Sequence, residues 1–128
     1  MNYYLIFASA VALFSAIGHL TIGNKLYLKP LLESKLNAVP KKVLYSVFHY
    51  ISVYFIGVTV LLFMATFKES CYETLKEVVI FNGIMFILFA IVQLIIASTS
   101  KIEAWFGKMF QWILFMILGL LSLAAYLM

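Results

Sequence analysis

The sequence predicts an all-α integral membrane protein, an antiparallel four-helix bundle with a short interfacial segment between its first and second helices. Three observations predict it. Of the 128 residues, 66% are hydrophobic and 11% charged, and the mean hydropathy is +1.09. A soluble core of this size would leave much of that apolar surface in water, whereas lipid solvates it. The apolar residues fall into four runs of about twenty residues or more, each long enough to cross a bilayer. The charges come from nine Lys and five Glu, which flank those runs, as snorkelling and topology-setting residues do. Residues 1–128 are read as a single four-span membrane domain.

The first span covers about 3–22. Ala8, Ala12, Ser15, Ala16 and His19 recur at steps of three and four, which is one helix face. Small side chains there let helix backbones approach closely in lipid. His19 is expected to face other helices, because a lipid-facing imidazole lacks hydrogen-bond partners. No positive charge precedes the run and it continues to Ile22, so a retained span is expected rather than a signal peptide. Gly23-Asn24 is read as its end, with Gly18 and Gly23 as turn or packing glycines. Pro30 then starts a short interfacial helix with Leu31, Leu32 and Leu36 on one side, which Pro40 closes.

The second span covers about 43–67, with Tyr45, His49, Ser52 and Ile56 along one face. Residues 68–77 are read as a loop. It holds Cys71, the single cysteine, which excludes an intrachain disulfide and a multi-cysteine metal site; a structurally neutral loop residue is expected. The third span covers about 78–98, with Asn82 near its start and Gln93 near its end. A turn at Thr99-Ser100-Lys101 leads to the fourth, about 104–127. Trp105 and Trp112 stand early in that span, where an indole reaches the headgroup layer. Gly107, Gln111, Phe115, Gly119 and Ser122 share one of its faces.

Lysine asymmetry sets an orientation. Lys25, Lys29, Lys35, Lys41 and Lys42 lie between spans one and two, and Lys101 and Lys108 lie around the third connection. The second connection has Lys68 and Lys76. The positive-inside rule puts the first and third connections in the cytoplasm and both termini outside, in a cell inner membrane. The lysines form no basic stripe interleaved with exposed aromatics, so nucleic acid is not an expected partner; the expected partners are the lipid bilayer and a homo-oligomer or larger membrane complex.

Counted inward from the cytoplasmic ends, His19, His49, Gln93 and Gln111 come out roughly 5–10 Å below the surface at 1.5 Å per residue. Tyr45, Tyr50 and Ser46 lie at comparable depth. His19, His49, Gln93, Gln111 and Tyr45 are therefore candidate ligand-binding residues lining one inward-opening pocket. Several uses fit them. His19 and His49 as a pair are candidate ligands of a transition metal or axial ligands of haem, although no carboxylate or thiolate completes a first shell for zinc or iron. As titratable groups they suit a pocket or path for a small molecule or proton, with transport requiring an oligomer. All four also suit plain interhelical hydrogen bonding. The small-residue faces of the first and fourth spans suit an accessory subunit of a larger complex. An enzyme is the least supported class: no acid lies within a span, no nucleophile stands beside a base, and there is no Gly-rich phosphate loop.

The sequence His19-Leu-Thr-Ile-Gly23, followed by Leu26-Tyr-Leu-Lys-Pro30-Leu-Leu and then Phe48-His49, resembles a group of small four-span bacterial membrane proteins, itself uncharacterised. The resemblance covers roughly the first half of the chain. It implies the four-span fold, singles out His19, Gly23 and His49, and supplies no activity. Asn24-Lys25 stands where that group has an acidic-basic pair, which weakens the metal reading.

Overall fold

Asn2 starts the first helix by capping it. Its side-chain oxygen accepts from the Tyr4 and Leu5 amides at 3.0 and 3.4 Å, two of the donors that a helix start leaves without partners. The computed structural model describes residues 2–67 and 69–127, the side chains of 69–72 excepted, and no described residue lies in a strand. The elements are α1 (Tyr3–Gly18), a π-helical continuation (His19–Leu28), α2 (Lys29–Glu33), α3 (Ala38–Phe67), α4 (Glu69–Thr99), α5 (Trp105–Lys108) and α6 (Gln111–Leu127).

Four boundaries differ from the sequence expectation. The first helix does not stop at Gly23-Asn24; it runs unbroken from Tyr3 to Glu33. Glycine ends a helix by taking a left-handed conformation, and no described glycine has a positive φ. The Asn24 carbonyl instead accepts the Lys29 amide in the wider π geometry. Pro30 is the second residue of α2, inside this continuous helix, where it removes one amide from the hydrogen-bond ladder. Pro40, expected to close the interfacial segment, lies in the first turn of α3, among amides that have no intrahelical acceptor in any case.

The expected loop at 68–77 is largely helix, since α4 begins at Glu69; the stretch contains neither glycine nor proline to stop it. Lys68 and the Cys71 side chain lie outside the described residues. The expected fourth span is two helices. Ala104 takes a left-handed conformation at φ 54° before α5, and Met109 at φ −120°, ψ 50° separates α5 from α6.

Helix α1 packs against α3 and α6, and α4 packs against the same two. The seam is filled from each: Leu5, Ala8, Ala12 and Ala16 of α1, Phe55, Val58 and Leu62 of α3, Val79 and Phe86 of α4, and Leu118 and Ala125 of α6. Phe55, Phe86 and Phe115 form its centre, with ring centroids 6.1–6.2 Å apart. The predicted small-residue face of the first helix is the buried one. Its start meets the end of α6, where Asn2 Nδ2 donates to the Ala125 carbonyl at 2.8 Å.

The outward faces are as apolar as the seam. Phe7, Val53, Phe81 and Ile95 are 62%, 70%, 61% and 58% exposed, part of an apolar surface far larger than a soluble monomer leaves in water. Three helices, Tyr3–Glu33, Ala38–Phe67 and Glu73–Thr99, are long and apolar enough to cross a membrane. Helix α6, also apolar, is shorter at 17 residues.

Candidate functional site

The π-helical segment and the first half of α3 bring His19 against Phe48. The His19 Nε2 lies 2.9 Å from the Phe48 carbonyl. A carbonyl oxygen only accepts, so that nitrogen carries the proton. The same carbonyl accepts the Ser52 hydroxyl at 3.1 Å. The imidazole also stacks on the Phe48 ring, centroids 4.0 Å apart and planes 21° from parallel. Gly23, buried one turn on, lies over this pair, and a Cβ built there would meet His19 Nδ1 and the Phe48 ring edge at 3.6 Å.

His49 lies against the same phenylalanine. Its ring is edge-on to Phe48 at 5.6 Å and to Tyr45 at 4.6 Å, and the Lys42 ammonium sits 5.4 Å over the Tyr45 ring. The two histidines thus meet through Phe48 and not through each other. His49 has no hydrogen bond among the described residues, while His19 has its Nε2 committed to a backbone oxygen. A metal ion or haem held between them would have to use His19 Nδ1, since Nε2 is bonded to the Phe48 carbonyl. Among the described residues no group of three or more His, Cys, Asp and Glu side chains gathers where a metal ion would sit.

The two glutamines do meet. Gln93 Nε2 donates to Gln111 Oε1 at 2.7 Å, Gln111 Nε2 donates to the Tyr27 hydroxyl at 2.7 Å, and that hydroxyl donates to the Lys108 carbonyl at 3.0 Å. This chain of hydrogen bonds joins α4, α6, the π-helical segment and α5. It also reaches the break before α6. In an unbroken helix the Lys108 carbonyl would accept the Trp112 amide; here it accepts Tyr27. The same break lets Phe106 set its ring on those of Trp105 and Trp112, at 5.7 and 5.1 Å. The Trp112 indole nitrogen is buried without an acceptor among the described residues.

Some expected members lie elsewhere. Tyr50 is 69% exposed and Ile56 51% exposed, so neither shares the inward face of Ser52. The Ser46 hydroxyl donates to its own helix at the Lys42 carbonyl. Gly18 and Gly107 have no atom within 4 Å of a built Cβ, so neither is a packing glycine within this chain. At the other end, Asn82 accepts the Tyr54 hydroxyl at 2.7 Å and donates to the Val78 carbonyl.

Sequence reasoning passed over three residues that the structure uses. Tyr27 stood in the presumed interfacial stretch, and its amphipathic ring near a span end was the available signal. Asn2 was a capping residue directly before an apolar run. Gly83 lay in a run of large side chains and had no local signal. No family model matches the chain, and no curated protein or solved structure is similar to it.

Proposed function

We propose that the chain is a non-enzymatic accessory component of a larger membrane complex, held in a cell inner membrane by an antiparallel four-helix bundle made of its three long helices and the shorter α6. The observation that carries this reading is how the polar side chains within the spans are used. His19 is bonded to a carbonyl and Gln93 and Gln111 to each other and to Tyr27. Polar groups spent on neighbouring helices fix the packing of a bundle and leave little free for a substrate. In this reading the lysine-rich end faces the cytoplasm and both termini lie outside. Helix α6 spans about 25 Å, somewhat less than the ~30 Å hydrocarbon layer, and α5 with its aromatic cluster completes the crossing. The resemblance to small four-span bacterial membrane proteins agrees with this architecture.

The test is purification in mild detergent from the native membrane, with cross-linking before solubilisation. A stoichiometric membrane partner that survives wash and is cross-linked to the bundle supports the reading. A monodisperse chain without partner overturns it.

One observation favours a second reading, a small-ligand or proton site at His49 beside Tyr45. His49 is the histidine whose ring nitrogens are uncommitted among the described residues. This reading expects His49→Ala to abolish ligand binding while His19→Ala acts mainly on stability; equal effects of the two in a binding assay would count against it.

A further inference from the structure

The spacing of buried residues in the first long helix changes where its geometry changes. In α1, Leu5, Ala8, Ala12 and Ala16 lie buried at steps of three and four. In the π-helical segment the buried residues are Gly23 and Leu28, five apart. The wider turn keeps those two on one side, as the Lys29 amide bonds to the Asn24 carbonyl five residues back. In α geometry the same five residues would turn Leu28 to about 140° from Gly23, and Tyr27 would come within about 40° of it. The segment therefore has two registers, which exchange Leu28 for Tyr27 on the buried side. A π-helix is rare and mostly confined to single turns, so contacts made in this register alone must hold ten residues of it. Three are in place. The Tyr27 hydroxyl accepts from Gln111 Nε2 at 2.7 Å and donates to the Lys108 carbonyl at 3.0 Å, bonds that a turn of the residue would break. Leu28 is buried. Pro30 follows, and in α geometry its ring would press on the carbonyl four residues back, that of Leu26; a ladder that reaches five residues back relieves this.

We propose that residues 19–28 are a two-register switch, whose conversion from π to α geometry turns the helix beyond Leu28 about a fixed bundle. The inference goes beyond both readings above and rests on neither. His19 is the fixed point. It is the first residue of the segment, and its bond to the Phe48 carbonyl and its stacking on the Phe48 ring precede the turning part. The moving part is α2 with the connection after it, where Lys41 Nζ donates to the Ser34 carbonyl at 2.6 Å, the contact that has to give. The switch joins two regions of the surface. Whatever engages α2 in one register only also decides whether Gln111 and Lys108 keep Tyr27 as a partner.

Single cysteines in a Cys71→Ser background report the register through their rate of reaction with a maleimide in mild detergent. Leu28→Cys is buried in the π register and turned outward in the α one. Lys25→Cys is exposed and stays on the side away from Gly23 in both. Ala16→Cys is buried in α1 and lies before the switch. With Pro30 in place, Leu28→Cys should react slowly, as Ala16→Cys does. Pro30→Ala favours the α register by about a hundredfold, the equilibrium equivalent of an interior proline's cost. It should raise the Leu28→Cys rate by up to that factor, until the rate meets that of Lys25→Cys, and leave Ala16→Cys slow. Tyr27→Phe removes the bonds special to the π register and should raise the Leu28→Cys rate by about fivefold. Amide exchange through 24–33 separates a change of register from fraying, since a segment that changes register stays protected. A Leu28→Cys rate unmoved by Pro30→Ala overturns the proposal, as does a fast rate with Pro30 in place. Faster reaction accompanied by faster exchange through 24–33, or by a reactive Ala16→Cys, also overturns it, since the helix is then opening rather than turning.

Discussion

At the scale of single residues, the tightest constraint in the molecule is where α4 and α6 cross. A Cβ at Gly119 would stand 2.6 Å from Ile87 Cγ1, 2.8 Å from the Gly83 carbonyl and 3.2 Å from the Ile87 amide. Backbone cannot rotate aside as a side chain can, so Gly119→Ala must open the α4/α6 contact. We expect a loss of about 1–3 kcal/mol, the usual range for overpacking, read as a shift in SDS-induced unfolding in mixed micelles. Gly23→Ala is the contrasting case. Its Cβ would meet His19 and Phe48 at ordinary contact distance, 3.6 Å, and we expect a change within about 0.5 kcal/mol. Equal losses in the two variants would mean that the helices are no closer at Gly119 than at Gly23. The sequence showed Gly23 more plainly than Gly83, because a glycine beside a charged stretch looks like a stop signal. A glycine whose use depends on another helix's backbone leaves no local trace.

At the scale of elements, what could be read in advance was what repeats. The alternation of small residues in α1 carries its buried face, Ala8, Ala12, Ser15 and Ala16, because helical period and packing face are the same fact. The helix ends were not legible in this way. The π-helical continuation from His19 to Leu28 has no sequence signature, and neither glycine nor proline stands at the break between α5 and α6. The break lies against Tyr27, a residue of the π-helical segment whose hydroxyl partners, Lys108 and Gln111, are distant in sequence. Depth placed Gln93 and Gln111 together with His19 and His49 as one group; the two glutamines bond to each other, while the histidines share Phe48 as a neighbour. The role of Tyr27 is testable. Tyr27→Phe keeps the ring and removes the hydroxyl that accepts from Gln111 and donates to Lys108. The expected cost is about 1 kcal/mol, as for other interhelical hydrogen bonds in membranes. Amide hydrogen exchange should quicken at residues 105–113 while α1 and α3 stay protected. Unchanged exchange at 105–113 would show that α5 keeps its place without Tyr27, leaving the break to the Phe106–Trp112 packing.

At the scale of the whole molecule, the proposed orientation follows from an imbalance between two ends. Lys25, Lys29, Lys35, Lys41 and Lys42, with Lys101 and Lys108, stand at the end where Tyr27 meets Lys108; Lys68 and Lys76 belong to the other connection. The opposite end carries Glu73 and Glu77 beside Lys76. Acidic residues contribute little to orientation, so the lysines near span ends decide it. Fusing a reporter that works only outside the cytoplasm, alkaline phosphatase, to the C-terminus should give activity. A green fluorescent protein fused there should stay dark, and one placed in the 34–37 connection should fluoresce. Changing Lys25, Lys29, Lys35, Lys41 and Lys42 to Gln leaves Lys101 and Lys108 against Lys68 and Lys76, which removes the bias. That variant should insert in both directions, with both C-terminal reporters partly active. A bright C-terminal fluorescent fusion in the wild-type chain would reverse the orientation. Wild-type orientation kept by the five-lysine variant would instead show that the lysines near Tyr27 do not set it.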